Sequence, residues 1–141
     1  MRPPRGSPRR AEPCADQGSA PVEFALVAVV LLLLLLGVLQ VAVYLYVRNI
    51  AAASAAEGAR YAANADVGPE QGAQRAQQVL RRGAGRDVAS RLVCTGTEEA
   101  GVDGVRLSGV HCAGTLPVFF APIGGVLPVH VSARSIEEDD R

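Results

Sequence analysis

The chain of 141 residues has no tryptophan, only 4% aromatic residues and a single methionine. Once one long apolar run is set aside, the remainder is rich in Ala and Gly, enough for a modest core but not for a large enzyme core. A multi-domain enzyme is therefore not expected. Charge of one sign is missing too, because fourteen basic residues balance fourteen acidic ones. A nucleic-acid partner is not expected from such a balance. Lysine is absent and every basic residue is Arg, which with the heavy Ala, Gly and Val usage is the composition of a GC-rich bacterial coding sequence. No G-x-S-x-G and no H-E-x-x-H occurs, and Gly83-Ala84-Gly85 lacks the Lys and Ser/Thr that a phosphate loop requires. A Ser–His–Asp set drawn from Ser108, His111 and Asp103 has no more support than any chain with several serines would give. No enzyme activity, cofactor or small-molecule substrate is expected.

What is present begins with a leader. Arg2, Arg5, Arg9 and Arg10 outnumber Glu12 and Asp16, and Pro3, Pro4, Pro8 and Pro13 preclude a stable helix there. Phe24 to Val47 then runs without a charge, bracketed by Glu23 and Arg48. As a helix at ~1.5 Å per residue it reaches about 36 Å, more than the ~30 Å of a bilayer core. Tyr44 and Tyr46 lie near its far end, where amphipathic rings favour the interface. Four Arg precede the run and only Arg48 and Arg60 follow closely, so the positive-inside bias places the N-terminus in the cytoplasm and the rest outside. A bare anchor shares these features. So does a secretory signal, since Ala53-Ser54-Ala55 is an A-x-A site, but signal h-regions are shorter, ~7–15 residues. Gly37 and Gln40 inside the run are either a helix–helix contact or simply tolerated.

The informative stretch is Gln17-Gly18-Ser19-Ala20-Pro21-Val22-Glu23-Phe24. Glu23 stands on the membrane threshold, where a carboxylate pushed inward is costly and usually has a partner. Left in the headgroup region it costs little, but that does not account for the Gly five positions before it. Gly, four residues, Glu and a long apolar helix resemble the class III signal of type IV prepilins. More closely, Gly18-Ser-Ala-Pro-Val-Glu-Phe-Ala-Leu-Val is similar to the opening of the TadE-like (TadE/TadG) family of Flp pilus assembly proteins.

That resemblance implies cleavage between Gly18 and Ser19 by a membrane prepilin peptidase on the cytoplasmic side, with the apolar helix retained. It also implies that the Glu23 carboxylate pairs with the new amine at Ser19 of a neighbouring subunit, a register device for helix-on-helix assembly. Opposite charges attract strongly where the dielectric is low, and a partner offsets desolvation. Gly at the cut lets the backbone lie extended in a protease cleft. Pro21 suits a first helical turn.

Beyond the run, Asn49 to Ala65 is Ala-rich and continues the helix outward, with Glu57 and Arg60 spaced i,i+3 and Gly58 a weak point. Asp66-Val67-Gly68-Pro69 ends it. A second helix runs from Pro69 to about Leu80, with Glu70 in its first turn and Val79, Leu80 and alanines as a thin apolar face. Gly83-Ala84-Gly85 interrupts it. Arg81, Arg82, Arg86 and Arg91 form a basic cluster, a solvated face or a contact for lipid headgroups or an acidic partner. From Val88 the texture changes. Val102–Val110 and Val126–Ala133 read as strands, the second alternating Val129, Val131 and Ala133 against His130 and Ser132. Phe119 and Phe120 read as core aromatics, and Glu137, Glu138, Asp139 and Asp140 as an acidic frayed tail.

Cys14 falls in the leader. Cys94 and Cys112 form an even pair in the exported part, where an oxidising compartment favours a disulfide worth roughly 3 kcal/mol by chain entropy. A metal site of Cys94, Cys112, His111 and His130 is the rival, without C-x-x-C or H-x-x-x-H spacing to support it.

The expected architecture is α+β: a leader over 1–18, then a transmembrane and extended helix over 19–66 with its membrane span at 24–47. A small exported domain follows over 67–141, a helix then a short antiparallel sheet. The expected role is a non-enzymatic, minor pseudopilin-like protein of the cytoplasmic membrane. The resemblance implies that it helps assemble a Flp/Tad-type pilus or related secretion apparatus with prepilin peptidase, other pilins and the pilus assembly platform. The alternative is a single-pass anchored binding module unrelated to pili, which needs neither Gly18 cleavage nor Glu23.

Overall fold

The structure is a computed structural model that describes residues 20–101, 104–117 and 125–137. Its elements in chain order are α1 (Ala20–Ala62), α2 (Pro69–Ala84), α3 (Arg86–Ala89), β1 (Leu92–Ala100), β2 (Arg106–Pro117) and β3 (Val126–Ile136). The chain divides into two compact units, one ending at Leu35 and one beginning at Leu36. The described part of the first is helix alone, residues 20–35, and every one of those residues is exposed. The second contains the rest of α1, the two shorter helices and the sheet.

Leu, which is not branched at Cβ, through the run and Ala after it are good helix formers, and α1 is continuous over 43 residues. It stops at Ala62, earlier than the expected Ala65. There Asn64 turns its side chain back, and its Nδ2 donates to Tyr61 O at 3.1 Å. A local side-chain bond of this kind offers the backbone an alternative to another helical turn. α2 starts as expected at Pro69, and Gly68 N–H donates to Gln71 Oε1 at 3.1 Å. It ends later than expected, at Ala84. Gly83 stays helical, with Ile50 lying where a side chain would be. The break falls at Gly85 alone, whose φ of 85° is open to glycine at little strain. α3 was not expected.

The sheet is antiparallel in the order β1-β2-β3. β3 covers the expected strand and extends it to Ile136. The strand expected at Val102–Val110 is instead β2, running from Arg106 to Pro117, with Val102 and Asp103 outside the described residues. β1 was not expected. Its Thr-Gly-Thr-Glu-Glu sequence has little apolar alternation, and only Leu92 is fully buried in it. Pairing of Leu92 through Ala100 with β2 makes it a strand.

One sheet face packs on the helices. Val110 and Cys112 from β2 and Val129 and Val131 from β3 join Leu92 over Leu80 and Ala76 of α2. α1 contributes Val47, Ala51, Ala55 and Ala59, one stripe at i,i+4 spacing. Small residues let the helices approach closely. A Cβ at Gly58 would lie 2.5 Å from Gly72 O, and one at Gly72 would lie 2.6 Å from Ala62 Cβ. Phe119 and Phe120 lie outside the described residues.

Candidate functional site

The expected cleavage pair, Gly18 and Ser19, lies outside the described residues, as does Cys14. Glu23 is in the first turn of α1. A carboxylate there interacts favourably with the positive end of the helix dipole. It sits beside apolar groups on the bare helix, since Val22 is 67% exposed and Phe24 76%. Among the described residues no ion pair includes Glu23. α1 is the one described helix long and apolar enough to cross a membrane, and its apolar window is not buried in the protein at all. An exposed apolar helix of this length needs lipid or other helices around it.

Cys94 and Cys112 form a disulfide, their Cα atoms 4.0 Å apart. They are direct register partners on β1 and β2, so the bond staples two neighbouring strands. Alternation along β2 turns Cys112 to the core and His111 to the opposite face. His111 stacks there on His130 with ring centroids 6.2 Å apart, both exposed. The thiols are thus consumed and point away from the imidazoles, which removes the Cys–His metal set. Of the Ser–His–Asp set, the structure puts Ser108 and His111 on opposite faces of β2. Ser108 is buried on the inner face, its Oγ 2.8 Å from Glu137 Oε1 and 3.4 Å from Ala62 O, while Asp103 lies outside the described residues.

Three connections were not anticipated. Glu57 bonds Arg75 of α2 at 3.2 Å rather than Arg60, because the close packing of Gly58 on Gly72 brings Arg75 alongside. Gln77 is the pin between α2 and the sheet. Its Nε2 donates to Ala89 O at 2.8 Å and Leu92 O at 3.1 Å, and its Oε1 accepts from Cys94 N–H at 3.3 Å. Tyr44 donates its hydroxyl to Pro128 O at 3.1 Å, and Tyr46 to Gly83 O at 3.5 Å. The only sequence cue to Gln77 was its place among the small residues of the buried face of α2, with Ala73, Ala76 and Leu80.

Residues 20–35 are thus exposed apolar helix with Glu23 in its first turn, and the unit from Leu36 onward is a small disulfide-stapled α+β unit. Residues 18–60 match the model of the TadE-like protein family. That TadE-like segment begins at Gly18, includes Glu23 and the whole apolar run, and ends on the Ala stripe that packs against the sheet unit. The TadE-like family is one of structural, pilus-associated proteins. α2 and the sheet lie outside the matched segment. No curated protein and no solved structure matches the chain.

Proposed function

We propose that this protein is a minor pseudopilin-like structural subunit that helps assemble a Flp/Tad-type pilus or a related secretion apparatus. In this reading prepilin peptidase cuts between Gly18 and Ser19 on the cytoplasmic side. The retained α1 anchors the protein in the cytoplasmic membrane as a single pass, and residues 67–141 form an extracytoplasmic domain. The Glu23 carboxylate then pairs with the Ser19 amine of an adjacent pilin or assembly subunit.

The observation that carries the reading is the TadE-like match starting at Gly18, combined with a lone carboxylate in the first turn of α1, directly before the uncharged run from Phe24 to Val47. Such a carboxylate is expensive inside a membrane unless it is paired. In a helix bundle an amine from the next subunit offsets that cost and fixes the register. The test is Glu23→Gln, which keeps size and polarity and removes the charge. Membrane insertion is expected to persist while crosslinking to neighbouring subunits and pilus formation are lost. Full assembly by the variant would sink the reading and favour a simple anchored module.

A further inference from the structure

The fold gathers two features that are far apart in sequence. α2 runs back along α1, so its C-terminal end stands beside residues 46–50: Tyr46 reaches Gly83 O, and Ile50 lies against Gly83. That is the level at which the apolar run ends, at Val47. Arg81, Arg82 and Arg86 line a hollow with Ser90 at this level. On the other side of α3 opens a cleft of about 400 Å³. Its walls are Leu36, Leu39 and Val43 of α1 facing Val88, Leu116 and Leu127, with Asp87 and Arg91 as the charged groups lining it. Arg81, Arg82, Arg86 and Arg91 are all exposed, and among the described residues no ion pair includes them.

We propose that this cleft holds an acyl chain of a phospholipid, and that the four arginines make the bound lipid an anionic one. Continuity and charge argue for it. One wall of the cleft belongs to the uncharged run, so the cleft opens onto the part of α1 that the bilayer surrounds. Arg91 lines the cleft beside Asp87, and Arg81, Arg82 and Arg86 line the hollow across α3, so four guanidinium groups surround the α2–α3 turn against the single carboxylate of Asp87, and guanidinium binds phosphate oxygens in a two-pronged fashion. A second copy of α1 is the competing occupant of an apolar cleft. Its run from Phe24 to Val47 carries no charge and offers the arginines nothing. A lipid supplies both the apolar chain and the anion at the required level. The bound lipid would tie the base of the sheet unit to the membrane. Counted along the sequence, only Arg48 and Arg60 closely follow the span; the fold brings the other four to the same level.

This inference rests on α1 lying in the membrane, and the test separates the two. The full chain is reconstituted in bilayers with equal amounts of palmitoyl-oleoyl phosphatidylglycerol and phosphatidylcholine. It is then released in mild detergent, and the lipid it retains is measured by native mass spectrometry. The parent is expected to retain phosphatidylglycerol preferentially. Arg82→Gln, Arg86→Gln and Arg91→Gln are each expected to lower that preference roughly fivefold, and raised salt during release is expected to weaken it. Leu127→Trp, which fills the cleft from β3 with the arginines intact, is expected to lower retention of both lipids. Far-UV circular dichroism and an intact disulfide confirm folding of each variant. Equal retention of the two lipids by the parent would overturn the proposal. So would unchanged preference in all three arginine variants, or efficient disulfide crosslinking of two copies through Leu127→Cys. Release of the protein by alkaline carbonate would overturn the membrane reading as well. Retention in the bilayer without lipid preference would overturn this inference alone.

Discussion

Replacing Gly58 with alanine should loosen the protein even though alanine is the better helix former. In an unhindered helix the exchange stabilises by about 1 kcal/mol. Here the new Cβ would lie 2.5 Å from Gly72 O and 2.8 Å from Ala76 Cβ, where ordinary contact begins at 3.4 Å. Both obstacles are fixed to α2 and cannot swing aside as a long side chain would. The helices must part by roughly 0.5–1 Å, and overpacking of this kind costs about 1–3 kcal/mol. Parting them also loosens Ala51, Ala55 and Ala59, whose dispersion contacts fade steeply with distance. The net expectation is a loss of about 1–2 kcal/mol, or about 4–15 °C in Tm for a folded unit of this size. The assay is thermal unfolding of the full chain in mild detergent, followed by far-UV circular dichroism. Gly37→Ala is the control, since nothing lies within 4 Å of a Cβ at that position. It should lose no stability. A Gly58→Ala protein as stable as the parent would refute the account of the α1–α2 seam.

Other outcomes follow from the same geometry. Gln77→Leu leaves Ala89 O, Leu92 O and Cys94 N–H without their partner, and urea unfolding should show a loss of about 1–3 kcal/mol. Reducing the Cys94–Cys112 bond should lower stability by roughly 3 kcal/mol in the chain-entropy model, and far-UV dichroism should show loss of strand before loss of α1. The Glu57–Arg75 pair is about two-fifths exposed on both sides, so a double-mutant cycle should give a coupling of only about 0.2–1 kcal/mol.

Several elements were legible because their signals are local. The uncharged run predicts the exposed part of α1, Pro69 with Glu70 predicts the start of α2, and the alternation from Val129 to Ala133 predicts β3. The disulfide followed from an even pair of cysteines in a region expected to be oxidising, and the structure places the two opposite each other across β1 and β2. What was missed depends on partners distant in sequence. β1 is polar along most of its length and is a strand only because β2 lies beside it. Val102–Val110 looks more strand-like than the His-Cys-Ala-Gly stretch from His111 to Gly114, yet the latter carries the centre of β2, paired on both sides. Glu57 has Arg60 at a favourable spacing on its own helix, but the glycine seam presents Arg75 instead. The meeting of the arginine cluster with the end of the apolar run needed the antiparallel return of α2, which no local pattern encodes. At the candidate site, the Gly18 spacing is what singles out Glu23, and the structure puts that residue in the first turn of α1.

The most direct test of the central claim is the N-terminal sequence of the protein isolated from membranes, with and without an active prepilin peptidase. The account predicts a peptidase-dependent start at Ser19 with the apolar helix retained. An intact leader in both strains would contradict it, and a start near Ala56 would mean that the helix is a removed secretory signal instead.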